Sequence, residues 1–97
     1  MRALLAITAL FSVSVLAQSC SYGGYDSCEW YGDAPFCGSS GSKIGQISGG
    51  MVLVDWTKDG NRGDYCDREK KPEIQGDCCD TYGLSCVAGY KRLWCNL

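Results

Sequence analysis

Cysteine is the residue type with the most chemistry to offer in this 97-residue chain, where it occurs eight times. Oxidised cysteines form disulfides, whereas reduced cysteines ligate zinc. The chain has no histidine and no two cysteines separated by two residues, so the spacing typical of zinc ligands is missing. We therefore predict no metal site, no cofactor and four disulfides, formed by Cys20, Cys28, Cys37, Cys66, Cys78, Cys79, Cys86 and Cys95. The sequence leaves their pairing open, except that the adjacent Cys78 and Cys79 should take different partners, because a vicinal disulfide is strained.

A second group of reactive side chains lies just before Cys66. The tripeptide Arg62-Gly63-Asp64 is the one that integrin ligands display on exposed loops, and here it indicates either an adhesive loop or a turn with solvated charges. We favour the turn. Several oxygen ligands surround it and could hold calcium, although a solvated acidic loop is the favoured interpretation; they are Asp55, Asp59, Asn61, Asp64 and Asp67.

Aromatic residues form a third group. Tyr22, Tyr25, Trp30 and Tyr31 lie among glycine and serine, a composition that suits stacking on sugar rings or contact with a protein. The alternative is that Trp30 and Phe36 fill a small core. We expect Trp56 and Trp94 inside and the tyrosines outside.

Basic residues in the long segment between Cys37 and Cys66 offer anchors for a protease inhibitor, namely Lys43, Lys58 and Arg62. Catalysis has little support, because no histidine is present to act as a base near neutral pH. A chain of this size also has little room for a cleft that buries a substrate. We predict a protein that is not an enzyme.

The N-terminal residues indicate the compartment in which the cysteine-containing part of the chain folds. Residues 1–17 carry Arg2, a short apolar run and a small residue at Ala17, which is typical of a secretory signal peptide. We predict that residues 18–97 form one four-disulfide domain, secreted to the extracellular space, monomeric and without a membrane span. The net charge of −2 argues against a nucleic-acid partner.

The expected fold is small, disulfide-rich and mainly β, with a short antiparallel sheet of three or four strands and long loops. Ser48-Gly49-Gly50 predicts a hairpin turn, followed by a central strand over 51–56. Ala88-Gly89 predicts a turn between strands at 84–87 and 90–95. Residues 18–42 and 58–77 are expected to be loops.

Two segments carry a family resemblance. Cys28–Cys37 reads CEWYGDAPFC and Cys86–Cys95 reads CVAGYKRLWC. They resemble CxWxGxAPFC and CVxGxKxLxC segments of small secreted cysteine-rich proteins whose function is generally not established. The order of the cysteines is similar to the four-disulfide core of whey acidic proteins, with longer segments on both sides of Cys66. Residues 76–86 resemble the end of a somatomedin B domain, which implies protein binding.

These observations predict a non-catalytic, disulfide-stabilised binding protein of the effector or defence type. Its target would be an extracellular protein or a cell-wall glycan. One alternative is an inhibitor of an extracellular protease, and another is an adhesion ligand. The predicted binding surface contains Tyr22, Tyr25, Trp30, Tyr31, Lys58, Arg62 and Asp64.

Overall fold

A computed structural model describes residues 19–58 and 60–97. The predicted signal peptide over 1–17 lies outside these residues, as does Asp59. These described residues form six strands and two short helices, in the order β1 (Ser21–Tyr22), β2 (Cys28–Tyr31), β3 (Ile47–Ser48), β4 (Met51–Trp56), α1 (Arg62–Tyr65), β5 (Ile74–Gln75), α2 (Cys78–Tyr82) and β6 (Arg92–Asn96). Within the described residues no helix is long and apolar enough to span a membrane.

The main sheet has four antiparallel strands in the order β2-β6-β4-β3, and a separate ribbon pairs β1 with β5. This confirms the predicted small β fold. The hairpin turn is also confirmed, because Ser48 pairs with Met51 across Gly49 and Gly50. Both glycines have positive φ (57° and 78°), which is the backbone conformation that a tight two-residue hairpin turn requires. β4 lies inside the sheet, as predicted.

Disulfides occupy the centre of the core. Cys20–Cys78 and Cys28–Cys95 are both buried, and they join one cluster with Val52, Tyr65, Ile74 and Leu93. The other two bridges are Cys37–Cys86 and Cys66–Cys79. The prediction that Cys78 and Cys79 take different partners is therefore confirmed.

The predicted strand over 84–87 is wrong. This segment runs beside residues 35–38 instead of pairing with β6, and the Val87 N–H donates to the Pro35 carbonyl at 2.7 Å. Gly89, in the predicted turn, does lie in a confined position, because a Cβ there would be 2.3 Å from the Gly38 carbonyl oxygen. The loop prediction for 18–42 missed β1 and β2. β2 forms because Cys28 is bonded to Cys95 directly opposite it in the register with β6.

The loop prediction for 58–77 missed α1 and β5, and no helix was predicted at α2. α1 begins at Asn61, whose side chain accepts from the Asp64 N–H while the Asp64 carboxylate accepts from the Asn61 N–H. This reciprocal capping pattern stabilises a single helical turn. The three-residue spacing from Asn61 to Asp64 was the sequence signal for it.

An ion pair between the buried Asp55 and the half-buried Lys71 links β4 to the segment before β5. Lys71 Nζ lies 3.1 Å from Asp55 Oδ2, and the Asp55 side chain is only 7% exposed. Asp55 Oδ1 accepts from the Trp56 N–H at 2.8 Å, so both carboxylate oxygens are engaged. Burial, followed by the negative charges of Asp55 and Glu73, raises the pKa of the nearby Tyr22 hydroxyl well above its usual range. Lys71 is the cation paired with this buried carboxylate.

Replacing Lys71 with alanine should lower the free energy of unfolding by about 3 kcal/mol, because Asp55 would remain buried without a counter-charge. Lys70→Ala is the matched control, since Lys70 pairs with Asp64 at the surface. Its expected loss is below about 1 kcal/mol. Urea titrations of the oxidised variants, followed by tryptophan fluorescence, measure both values. Equal losses for the two variants would contradict the assignment of Asp55 and Lys71 as a stabilising buried pair.

Candidate functional site

Two segments that are far apart in the sequence, residues 35–38 and 86–90, lie side by side. The Cys37–Cys86 disulfide joins them, and Phe36 and Ala88 form an isolated parallel bridge. The Cys37 N–H donates to the Ala88 carbonyl at 2.9 Å, and the Ala88 N–H donates to the Pro35 carbonyl at 3.2 Å. The two segments are those that carry the cysteine-rich resemblance, and the tertiary structure makes them one unit.

This unit, together with Leu84 just before Cys86, exposes apolar side chains to solvent. Phe36 is 74% exposed, Leu84 79% and Val87 78%. We call these three residues the apolar surface. Because the disulfide holds the two segments together, these exposed apolar side chains are a candidate site of contact with another molecule. The sequence analysis missed this site, because it considered Phe36 only as a core residue and did not consider Leu84 or Val87.

Cations stacked on aromatic rings lie beside this unit. Lys58 Nζ is 5.0 Å from the Trp56 ring centroid and 5.7 Å from that of Tyr90, and the two rings meet edge-to-face at 5.6 Å. The Arg92 guanidinium lies 5.6 Å from the Tyr90 ring centroid and donates a hydrogen bond to the Gly38 carbonyl at 3.3 Å. The predicted site residue Lys58 is therefore held against aromatic rings.

The four predicted surface aromatics do not form one platform. Tyr25 and Tyr31 are 40% and 41% exposed, but Tyr22 is only partly exposed beside Asp55. Trp30 packs inward: its Nε1–H donates to the Cys78 carbonyl at 2.9 Å, and its ring meets that of Tyr82 edge-to-face at 4.9 Å.

The expectation that tyrosines lie outside and Trp56 and Trp94 inside is wrong for three tyrosines. Tyr65, Tyr82 and Tyr90 are buried, whereas both tryptophans are partly exposed. The rings of Tyr65 and Tyr82 pack edge-on against Trp30, and the Tyr90 hydroxyl donates to the Ser40 carbonyl at 3.0 Å. Phe36 does not fill the core, because it lies on the apolar surface.

Arg62-Gly63-Asp64 lies within the helical turn α1 and not at the tip of an extended loop. Arg62 Nη2 donates to the Cys79 carbonyl at 3.0 Å, and Asp64 Oδ1 is 3.3 Å from Lys70 Nζ. Both side chains of the motif thus contact their own fold. The exposed turn that the sequence favoured takes the form of one helical turn.

The acidic residues considered for calcium are used elsewhere. Asp55 is paired with Lys71, and Asp64 caps α1. Among residues 19–58 and 60–97, no group of three or more acidic, cysteine or histidine residues is arranged to hold a metal ion. Asp59 lies outside the described residues.

Lys91 is a buried cation that the sequence did not suggest. It is 4% exposed, its ammonium group donates to the Tyr82 carbonyl at the end of α2, and it lies 4.4 Å from the Tyr82 ring centroid. Burial lowers the pKa of Lys91, and the negative charge of Asp33 opposes this in part. The neutral amine is thus favoured in the folded protein relative to the unfolded chain.

The chain matches no family model, no curated protein and no solved structure. The resemblances drawn from its cysteine-containing segments stay predictions, and the function has to be argued from the geometry above.

The lowered pKa of Lys91 predicts a pH-dependent contribution to stability. Below the folded pKa the protein carries the whole cost of burying a charge; this cost is relieved as the pH rises toward 10.5, the ordinary value for lysine. Wild type should therefore gain stability relative to Lys91→Met between pH 7 and pH 10.5. Urea titrations at several pH values measure the difference, with Lys43→Met at an exposed position as control. The prediction is refuted if the difference in unfolding free energy between wild type and Lys91→Met stays constant with pH, or if wild type loses stability relative to the variant as the pH rises.

Proposed function

We propose that this chain is a secreted, disulfide-stabilised binding protein of the effector or defence type, non-catalytic, with an extracellular protein as its target. The observation that carries the proposal is the exposure of Phe36, Leu84 and Val87 on two segments joined by the Cys37–Cys86 disulfide. Burying a phenylalanine or leucine side chain against a partner contributes about 1.5–3 kcal/mol each. Three such side chains are enough for the centre of a small interface.

The chemistry of this surface favours a protein over a glycan. Leucine and valine have no ring to stack on a sugar face and no group to hydrogen-bond its hydroxyls. A glycan platform would need aromatic rings presented together, and Trp30 is engaged with Tyr82 and Cys78 instead. Apolar side chains with nearby cations, here Lys58 and Arg92, are typical of protein interfaces.

Rigidity supports the same proposal. Residues 35–38 and 86–90 are held by a disulfide and by four backbone hydrogen bonds that include Tyr90 N–H to the Gly38 carbonyl at 3.0 Å. A surface that is already ordered loses little conformational entropy on binding. Four disulfides also fit an oxidising, extracellular environment, which supports secretion.

The alternatives have less support in this geometry. An inhibitor would need Lys43, Lys58 or Arg62 as a free anchor, and of these three only Lys43, which is exposed, is left after the contacts below. An adhesion ligand would need Arg62 and Asp64 free to reach a receptor. Lys58 lies against two aromatic rings, Arg62 donates to the Cys79 carbonyl, and Asp64 pairs with Lys70.

The test compares a double variant, Phe36→Ser with Val87→Ser, with wild type on an array of immobilised extracellular proteins. We expect wild type to bind at least one protein reproducibly. The double variant should bind that protein on the order of a hundredfold more weakly, because two buried apolar side chains are lost. Mass spectrometry and circular dichroism verify that the variant keeps its disulfides and its fold.

Tyr25→Ser is the matched control, because Tyr25 is exposed but outside the apolar surface. Its binding should stay within about threefold of wild type, as expected for a residue outside an interface. Equal binding by the double variant and wild type would overturn the proposal. So would retention on chitin, cellulose or β-glucan without any protein partner.

A further inference from the structure

Within residues 19–58 and 60–97, one edge of the main sheet is unpaired at Trp30. β2 is its outermost strand, and the Cys28 N–H points away from β6, since it donates to the Cys20 carbonyl at 3.0 Å. Backbone groups in a strand alternate between its two sides, so the N–H and C=O of Trp30 also point outward. Among the backbone hydrogen bonds that the described residues make outside the sheet, none involves these two groups.

A groove of about 670 Å³ lies along this edge. All four residues of β2 line it, together with Asp77 and Thr81 of the α2 region on one side and Met51 and Asn96 on the other. A second cavity of about 190 Å³ shares Tyr31 and Met51 with it and is completed by Ser48 and Trp94. The free backbone edge, a polar groove and an apolar side pocket are therefore continuous.

The charged side chains that line the groove among the described residues are all negative. Glu29 and Asp77 line it, and no lysine or arginine does so among the described residues. Neither carboxylate forms an ion pair within the part of the chain that the structure describes. Glu29 and Tyr31 are two residues apart in β2, so their side chains lie on the same face of the sheet, while Trp30 faces α2.

We propose that the free edge of β2 binds an extended peptide segment of a partner protein by strand addition. Such a segment would exchange backbone hydrogen bonds with Trp30, the mode by which extended peptides extend a sheet. Its alternating side chains require a lysine or arginine facing Glu29 and an apolar residue, two positions away, that enters the pocket of Tyr31 and Met51. The residue between them faces Asp77 and Thr81 and should be polar.

This site is separate from the apolar surface and rests on different observations. The proposed function would stand without it, and the strand-addition site would stand without the proposed function. The Phe36→Ser and Val87→Ser double variant should therefore keep its affinity for a groove peptide. If binding fails at the apolar surface and persists at the groove, the proposed function fails and the strand-addition site stands; the reverse result has the reverse meaning.

The experiment titrates the ¹⁵N-labelled, oxidised protein with the capped peptides Ser-Thr-Lys-Thr-Val-Thr-Ser and Ser-Thr-Val-Thr-Lys-Thr-Ser, which present the two side chains in either order. We expect the Trp30 amide resonance to shift and its hydrogen exchange to slow with one of them. Glu29→Lys should weaken binding at least tenfold, whereas Glu69→Lys, the same charge change outside the groove, should leave it unchanged. A peptide with glutamate in place of lysine should restore binding to Glu29→Lys.

Three results would overturn the proposal. The first is no shift of the Trp30 amide at millimolar concentrations of either peptide. The second is undiminished binding of a peptide N-methylated at the residue opposite Trp30, because the backbone pairing would then be unnecessary. The third is a shift of the same amide by chitin oligosaccharides and not by the peptides, which would assign the groove to a glycan.

Discussion

Two buried disulfides form the physical centre on which the rest of this structure depends. Cys20–Cys78 and Cys28–Cys95 close loops with sequence separations of 58 and 67 residues, and all four cysteines belong to the core cluster. The apolar side chains that join them, such as Val52 and Leu93, are few. A chain this small buries only a modest apolar core, so cross-links that restrict the unfolded state add substantially to its stability.

Because the core is built from cystines, large side chains are released for other uses. Trp30 and Tyr82 pack edge-to-face between β2 and α2, and the buried Asp55 forms an ion pair with the half-buried Lys71. Phe36, Leu84 and Val87 remain in solvent. In a domain stabilised mainly by packing, side chains of this size would be expected inside.

The remaining two disulfides hold together segments that carry exposed side chains. Cys37–Cys86 brings the two halves of the apolar surface together, and Cys66–Cys79 joins α1 to α2 near Arg62. Neither bridge lies at the centre of the core cluster. They fix where exposed groups stand relative to one another, which is the property that a binding protein requires. The outer strand β2 is joined to β6 by the Cys28–Cys95 bridge and so belongs to the same cross-linked sheet.

Local patterns in the sequence were sufficient for a disulfide-rich β domain. The count of cysteines, the hairpin at Gly49-Gly50, the interior strand β4 and the separate partners of Cys78 and Cys79 all follow from chemistry within a few residues. Only the tertiary structure decided the cysteine pairing and the burial of aromatics, because these depend on contacts between residues far apart in the chain. β2 forms where glycine and serine predicted loops, since β6 pairs with it; residues 84–87 fail to form a strand, since residues 35–38 take their hydrogen bonds. The pairing of Phe36 with Ala88 has the same origin: the neighbouring Cys37–Cys86 bridge spans 49 residues, and no local pattern encodes a contact of that range.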